Sequence, residues 1–159
     1  MAHHENGMLD HTPKLLAISS GGGHWVQLLR LRPAFAGCEV TYATVREGYR
    51  TDVIGEDFKL IHDGNRSNVL NLIRSAVGIV LLLLRTRPDI VITTGAAPGF
   101  FGCMFGRYLG ARVIWIDSIA NAERLSASGK NVRIFAHLWL TQWSHLESES
   151  GPKYLGNVL

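Results

Sequence analysis

Charge is scarce in this 159-residue chain: 18% of residues are charged against 47% hydrophobic, which excludes an intrinsically disordered protein. An excess of one sign is also missing. Sixteen Lys+Arg against thirteen Asp+Glu leave a net +3, and no two basic residues are adjacent, so a nucleic-acid-binding stripe is excluded. Cysteine is limited to Cys38 and Cys103, with no Cys-x-x-Cys and no Cys/His ligand spacing, which argues against a structural zinc. Both are expected to be packing residues of a reducing compartment. Long apolar runs are short of the eighteen or so residues a membrane span needs. The nearest, Ala76 to Leu84 between Arg74 and Arg85/Arg87, is expected to be too short to cross, and to lie in a core or rest on a membrane surface. Met1 to Pro13 has neither a basic n-region nor an apolar h-region, so no secretory signal is expected there. With His3, His4 and His11 it is expected to be a disordered tail rather than a metal site.

What is present alternates between strand and helix. Lys14 to Ser19 reads as a buried strand, followed by Ser20-Gly21-Gly22-Gly23-His24 and a helical apolar set from Trp25 to Phe35. Glu39 to Val45 is a second strand, Arg46 to Asp57 a loop or short helix, and Phe58 to His62 a short third strand. The Asn65 to Asn68 stretch offers an N-cap for a long helix from about Val69 to Arg87, which Pro88 ends. Asp89 to Thr94 reads as a strand buried on both faces, Gly95 to Gly99 as a turn, and Phe100 to Leu109 as a helix capped by Gly110. Ala111 to Ile116 is a further strand, Asn131 to His137 a helix and Leu138 to Gln142 a last strand. Such alternation predicts one doubly wound, Rossmann-like α/β domain over residues 14–159, with a parallel sheet.

Ligands of such sheets bind beyond the carboxyl ends of the strands. Three of those ends carry unusual residues: Ser19 to His24, Thr93 to Gly99, and Asp117-Ser118. The first is an anion corner, because glycine lets a ligand approach the backbone and the first helical N–H groups lack partners. It is not a dinucleotide fingerprint, since Val26 stands where the third Gly belongs, and Gly129-Lys130-Asn131 fails the P-loop pattern. His24 can bind a phosphate oxygen or take a proton, or simply face solvent at a helix start. Asp117 serves catalysis or caps the next segment. His62 and His137 read as core or surface histidines, and Trp115, Trp139 and Trp143 as packing. Arg124, Ser126, Ser128, Gly129 and Lys130 form a polar loop with anion-binding chemistry.

Ser20 to His24 and Thr94 to Gly99 resemble the two Gly-rich loops of the GT-B glycosyltransferases that act on polyprenyl-diphosphate acceptors. Ile116-Asp117-Ser118 with Leu125 to Lys130 resembles, more specifically, the acceptor half of the split enzymes of lipid-linked oligosaccharide, exopolysaccharide and capsule synthesis. Asp117 is one departure, since the family usually carries Glu there. The resemblance implies a fold equivalent to the N-terminal half of a GT-B enzyme. It implies acceptor and phosphate binding by Ser20, Gly21, Gly22, Gly23, Gly95, Ser126, Ser128, Gly129 and Lys130, with His24 and Asp117 as candidate bases. It implies inverting transfer without metal or cofactor, and a donor-binding partner subunit that holds most of the nucleotide sugar. It also implies a peripheral place on the cytoplasmic face of a membrane, seated through Ala76 to Arg87. A non-catalytic scaffold and a free-standing nucleotide-binding protein are the competing readings.

Overall fold

Residues 11–64 and 68–158 are described by the computed structural model of the chain. Among them seven strands pair in parallel: β1 (Lys14–Ile18), β2 (Glu39–Thr44), β3 (Asp57–Leu60), β4 (Ile90–Thr93), β5 (Arg112–Ile116), β6 (Leu138–Thr141) and β7 (Lys153–Tyr154). Their order is β3-β2-β1-β4-β5-β6-β7. The chain winds outward from β1 to β3, then returns to lay β4 against the other side of β1. The winding therefore reverses at β1/β4, and a crevice opens beyond the carboxyl ends of these two strands.

Side chains alternate across the sheet and make two cores. On one face Leu16, Ile18, Val91, Val113 and Trp115 pack with Ile79, Leu82 and Leu83 of α2 (Val69–Thr86) and Cys103 of α3 (Ala96–Tyr108). On the other, Leu15, Ala17, Tyr42, Ile92 and Ile116 pack with Trp25 and Leu28 of α1 (Gly23–Arg30), joined by Phe35 and Val53. The packing reading of both cysteines agrees with this: Cys103 lies in the first core and half-buried Cys38 against the second. Burial pushes the Cys103 thiol far above the ordinary range, so it is no nucleophile.

α3 meets the sheet through a face of glycines. A Cβ on Gly99 would run into Oγ1 of Thr93, and one on Gly102 into the Ile18 side chain. The helix begins at Ala96, four residues before the expected Phe100. Pro98 does not prevent this, because first-turn N–H groups have no helical partner to lose. After β5 the expected helix at Asn131 to His137 is replaced by α4 (Ala127–Asn131) and a 3-10 turn at Val132–Ile134. The Ser126 cap starts the helix early, and the short β7 was not anticipated.

α2 matches its expected bounds. Asn68 caps it, accepting from the N–H groups of Leu70 and Asn71, while Asn65, Arg66 and Ser67 of the expected cap loop lie outside the described residues. Its length corrects one expectation: by length and composition these 18 residues are long and apolar enough to cross a membrane. The apolar run looked short because Asn71 and Arg74 interrupt it in sequence, whereas Val69, Leu70, Leu72 and Ile73 extend the apolar helix on either side of Asn71. Ile79 and Leu83 are buried, yet Leu70, Ile73, Val77, Leu81 and Leu84 are 46–54% exposed. Of the N-terminal stretch, residues 1–10, including His3 and His4, lie outside the described residues. His11 bonds Oδ2 of Asp89 at 3.2 Å.

Candidate functional site

A cleft of about 580 Å³ opens over the crevice. Ser20, Gly21, Gly22 and His24 form its β1 side, Ala96 and Ala97 its β4 side, and Ser118, Asn121, Ser126 and Ser128 its β5 side. The three strand ends singled out in the sequence thus meet at one place.

The β1 corner needs glycine at Gly22, whose φ of +66° starts α1 without a side-chain cap. The Gly22 N–H donates to Oη of Tyr49 at 2.9 Å, and the Tyr49 ring stacks on Trp25 with centroids 5.1 Å apart. His24 is clamped twice to the residue after β4. Its Nδ1 lies 2.8 Å from the carbonyl oxygen of Thr94, and Oγ1 of Thr94 donates back to the His24 carbonyl at 2.7 Å. A carbonyl can only accept, so Nδ1 carries the hydrogen and the neutral ring keeps its lone pair on Nε2. Gly95 is the floor beneath the ring: its φ is +126°, and a Cβ there would stand 2.9 Å from Cε1 of His24. The β1 and β4 loops are therefore one unit.

Asp117 is 2% exposed at the end of β5, and both its oxygens are occupied. Oδ2 accepts from the Ser126 N–H at 2.9 Å and Oδ1 from Oγ of Ser126 at 2.6 Å. Oγ of Ser126 in turn accepts from the Gly129 N–H at 2.8 Å, closing the first turn of α4. Gly129 is needed there, since a Cβ would stand 2.7 Å from Oδ1 of Asp117. A buried carboxylate is costly without partners, and here the partners are the serine loop itself. Of the two readings left open for Asp117, the geometry matches the one that holds the next segment in place.

A second buried network sits behind the cleft. Nε2 of Gln27 donates to Oγ of Ser118 at 3.1 Å, and Nε2 of Gln142 donates to Oε1 of Gln27 at 2.7 Å and to the Asp117 carbonyl at 2.9 Å. It ties α1 to the ends of β5 and β6.

Not every expected residue reaches the cleft. Gly95, Asp117 and Gly129 lie behind its lining, while Gly23, Arg124 and Lys130 are exposed and off it. His62 is exposed and borders a separate groove between β3 and α2. Nδ1 of His137 accepts from the Val113 N–H at 3.0 Å, beside Arg107. Burial, then the positive charges of Arg107 and Arg112, hold its pKa below the ordinary imidazole value. Trp115 and Trp139 pack in the first core, whereas Nε1 of Trp143 donates to the Ile119 carbonyl at 2.8 Å and pins the loop after β5. Arg46, Asp63 and Gly64 line the cleft and were missed in the sequence. Nothing in the sequence marked them: Arg46 stands beside the Gly-rich turn because β2 pairs with β1, a neighbour relation that strand-helix alternation leaves open. Among the described residues, no group of three or more His, Cys, Asp and Glu is placed to hold a metal.

Comparison with known proteins adds a family. Residues 58–158 match the family described as "Oligosaccharide biosynthesis protein Alg14 like". The chain is 33% identical over 86 residues to the UDP-N-acetylglucosamine transferase subunit ALG14 of Mus musculus, a match covering 49% of this chain and 39% of that protein. To the same-named subunit of Yarrowia lipolytica it is 24% identical over 170 residues, covering 89% of this chain and 78% of that protein. Among solved structures it is similar to MurG of Acinetobacter baumannii, with a TM-score of 0.69 and 14% identity over 88% of this chain and 44% of MurG. The MnaA protein of S. aureus, solved with UDP, gives a TM-score of 0.67 and 15% identity over 92% of this chain and 44% of that one. These two likenesses concern the fold, which is that of the GT-B glycosyltransferases and related epimerases.

Proposed function

The chain belongs to the family of Alg14-like oligosaccharide biosynthesis proteins, and from that premise we propose that it is the acceptor-binding, membrane-associating subunit of a two-component glycosyltransferase. The partner subunit binds the nucleotide sugar, and this chain holds a polyprenyl-diphosphate-linked saccharide in the cleft. The observation that carries the reading is His24, whose Nδ1–H is locked to the Thr94 carbonyl so that Nε2 is the basic atom at the cleft wall.

In this reading Nε2 of His24 takes the proton of the acceptor hydroxyl. The oxygen attacks the anomeric carbon, the bond to the nucleoside diphosphate breaks, and the sugar is transferred with inversion. The diphosphate of the acceptor sits on the Ser20 to Gly22 turn, where the positive end of α1 favours an anion. Ser126 and Ser128 border the far side of the cleft, with Asp117 fixing their loop. No cofactor or metal is part of the proposal. The exposed apolar face of α2, with Arg74 and Arg85 also exposed, supports a peripheral seat on the cytoplasmic face of a membrane.

The test is sugar transfer in vesicles bearing a lipid-linked acceptor. The account expects turnover when chain and donor-binding partner are combined and none from either alone. Transfer by this chain alone would remove the two-component reading. A scaffold reading is favoured by one observation: Asp117, one of two candidate bases, is consumed by its own loop. It predicts that His24→Ala, with the pair still assembled, leaves turnover unchanged.

A further inference from the structure

We infer that Arg46, with Tyr49 beside it, is the diphosphate clamp of the cleft: the guanidinium binds the phosphate oxygens of a ligand seated on the Gly-rich turn. This rests on the acceptor-side reading above and adds to it the residues that recognise the diphosphate.

The sheet itself delivers Arg46. In the parallel register Ala43 of β2 lies beside Ile18 of β1, so Arg46 and Gly21, each three residues on, leave the sheet abreast. The side chain lies across the turn: a Cβ on Gly21 would stand 3.0 Å from Nε and 3.3 Å from Cδ of Arg46, and 3.6 Å from Oη of Tyr49. Glycine at position 21 is what lets the arginine approach the backbone this closely, while the tyrosine oxygen stands at ordinary contact distance. Arg46 has no fold role that accounts for it. It is exposed and makes no ion pair among the described residues, although the Asp63 carboxylate also lines the cleft. The ion pairs that do form use His11, Arg50 and Lys59.

The donors around this point converge. Oη of Tyr49 already accepts from the Gly22 N–H, so its own hydrogen is left to donate. The planar arginine fork adds two parallel N–H groups matched to phosphate oxygens, which a lysine cannot reproduce. The positive end of α1 completes the set. Such an arrangement selects a diphosphate over a neutral sugar hydroxyl. Two ligands carry that chemistry, a polyprenyl diphosphate and a nucleoside diphosphate, and they can be told apart.

The experiment titrates inorganic pyrophosphate, farnesyl diphosphate and UDP into the full chain by calorimetry, using wild type, Arg46→Gln and Arg46→Lys at one ionic strength. Thermal midpoints serve as the folding control, and the exposure of Arg46 means they are expected to coincide. The expected result is binding of pyrophosphate and farnesyl diphosphate by the wild type, at least tenfold weaker binding by Arg46→Gln, and partial recovery by Arg46→Lys. UDP is expected to bind more weakly than farnesyl diphosphate. Equal affinity of wild type and Arg46→Gln for pyrophosphate overturns the assignment, as does a wild type that does not bind it. Arg46-dependent binding in which UDP outcompetes farnesyl diphosphate keeps the clamp and sinks the acceptor-side reading. Sugar transfer by the pair with unimpaired Arg46→Gln does the reverse.

Discussion

Ser126 shows how one small side chain can organise a loop. Its Oγ donates to Asp117 and accepts from the Gly129 N–H, so it serves at once as helix cap and as partner of a buried carboxylate. Ser126→Ala leaves Oδ1 of Asp117 buried without that donor and removes the cap, a combined cost of about 2–4 kcal/mol. We expect a thermal midpoint clearly below that of the wild type, measured by calorimetry. His137 makes a second prediction, with a defined sign. Its pKa is lowered in the folded chain, so as the pH falls the unfolded chain takes the proton first. Its stabilising contribution is full above the unfolded value of about 6.5 and is lost as the pH falls from there to the lower folded value. Urea midpoints of the wild type should drop across that window more than those of His137→Gln, and equal slopes would refute the linkage. At this scale the Gly-rich turn was legible as the start of a helix, because three glycines after a buried strand mark a turn, whereas the clamp between His24 and Thr94 joins residues 70 positions apart and was not. Asp117 was legible as an acid beyond a buried strand, but whether it faces ligand or loop depends on Ser126, nine positions on. Arg46 was hidden inside a polar segment that looked like any solvated loop.

Among the elements, α2 carries a division of labour between its faces. Ile79 and Leu83 anchor it to the sheet, while Val77, Leu81 and Leu84 remain about half exposed. Replacing Val77, Leu81 and Leu84 together by serine should reduce co-sedimentation with anionic vesicles several-fold and leave the thermal midpoint nearly unchanged. Ile79→Ala should do the opposite, costing about 2–5 kcal/mol of stability with membrane binding retained. Vesicle binding unaffected by the triple change would remove the membrane role of this face. The pattern of α2 was readable because a cap and a proline bracket it. Its full apolar length was obscured by Asn71 and Arg74, which divide Val69 to Ile73 from the run that begins at Ala76. α3 was readable only in part. Gly95 to Gly99 suggested a turn, whereas Gly99 meets Thr93 of β4 and Gly102 meets Ile18 of β1 as the helix's contact surface, a use that only the sheet reveals.

The whole molecule turns on the reversal of winding between β1 and β4, which puts the His24 loop against the Thr94-Gly95 loop and leaves the cleft above both. Alternation of strand and helix made the parallel sheet predictable, and with it the edge at which the unusual residues converge. The order of the strands was not predictable, and so neither was the neighbour that supplies Arg46. The chain's matches cover 39% of the mouse subunit and 44% of MurG, and the proposed function makes it one component of a two-chain enzyme. The central claim is that this part contributes chemistry as well as a surface. The most direct measurement is kcat of the assembled pair on a polyprenyl-diphosphate-linked acceptor, comparing wild type with His24→Ala after complex formation has been verified for both. The account predicts a fall of about 10²-fold or more for His24→Ala. Unchanged turnover by the intact pair would contradict it.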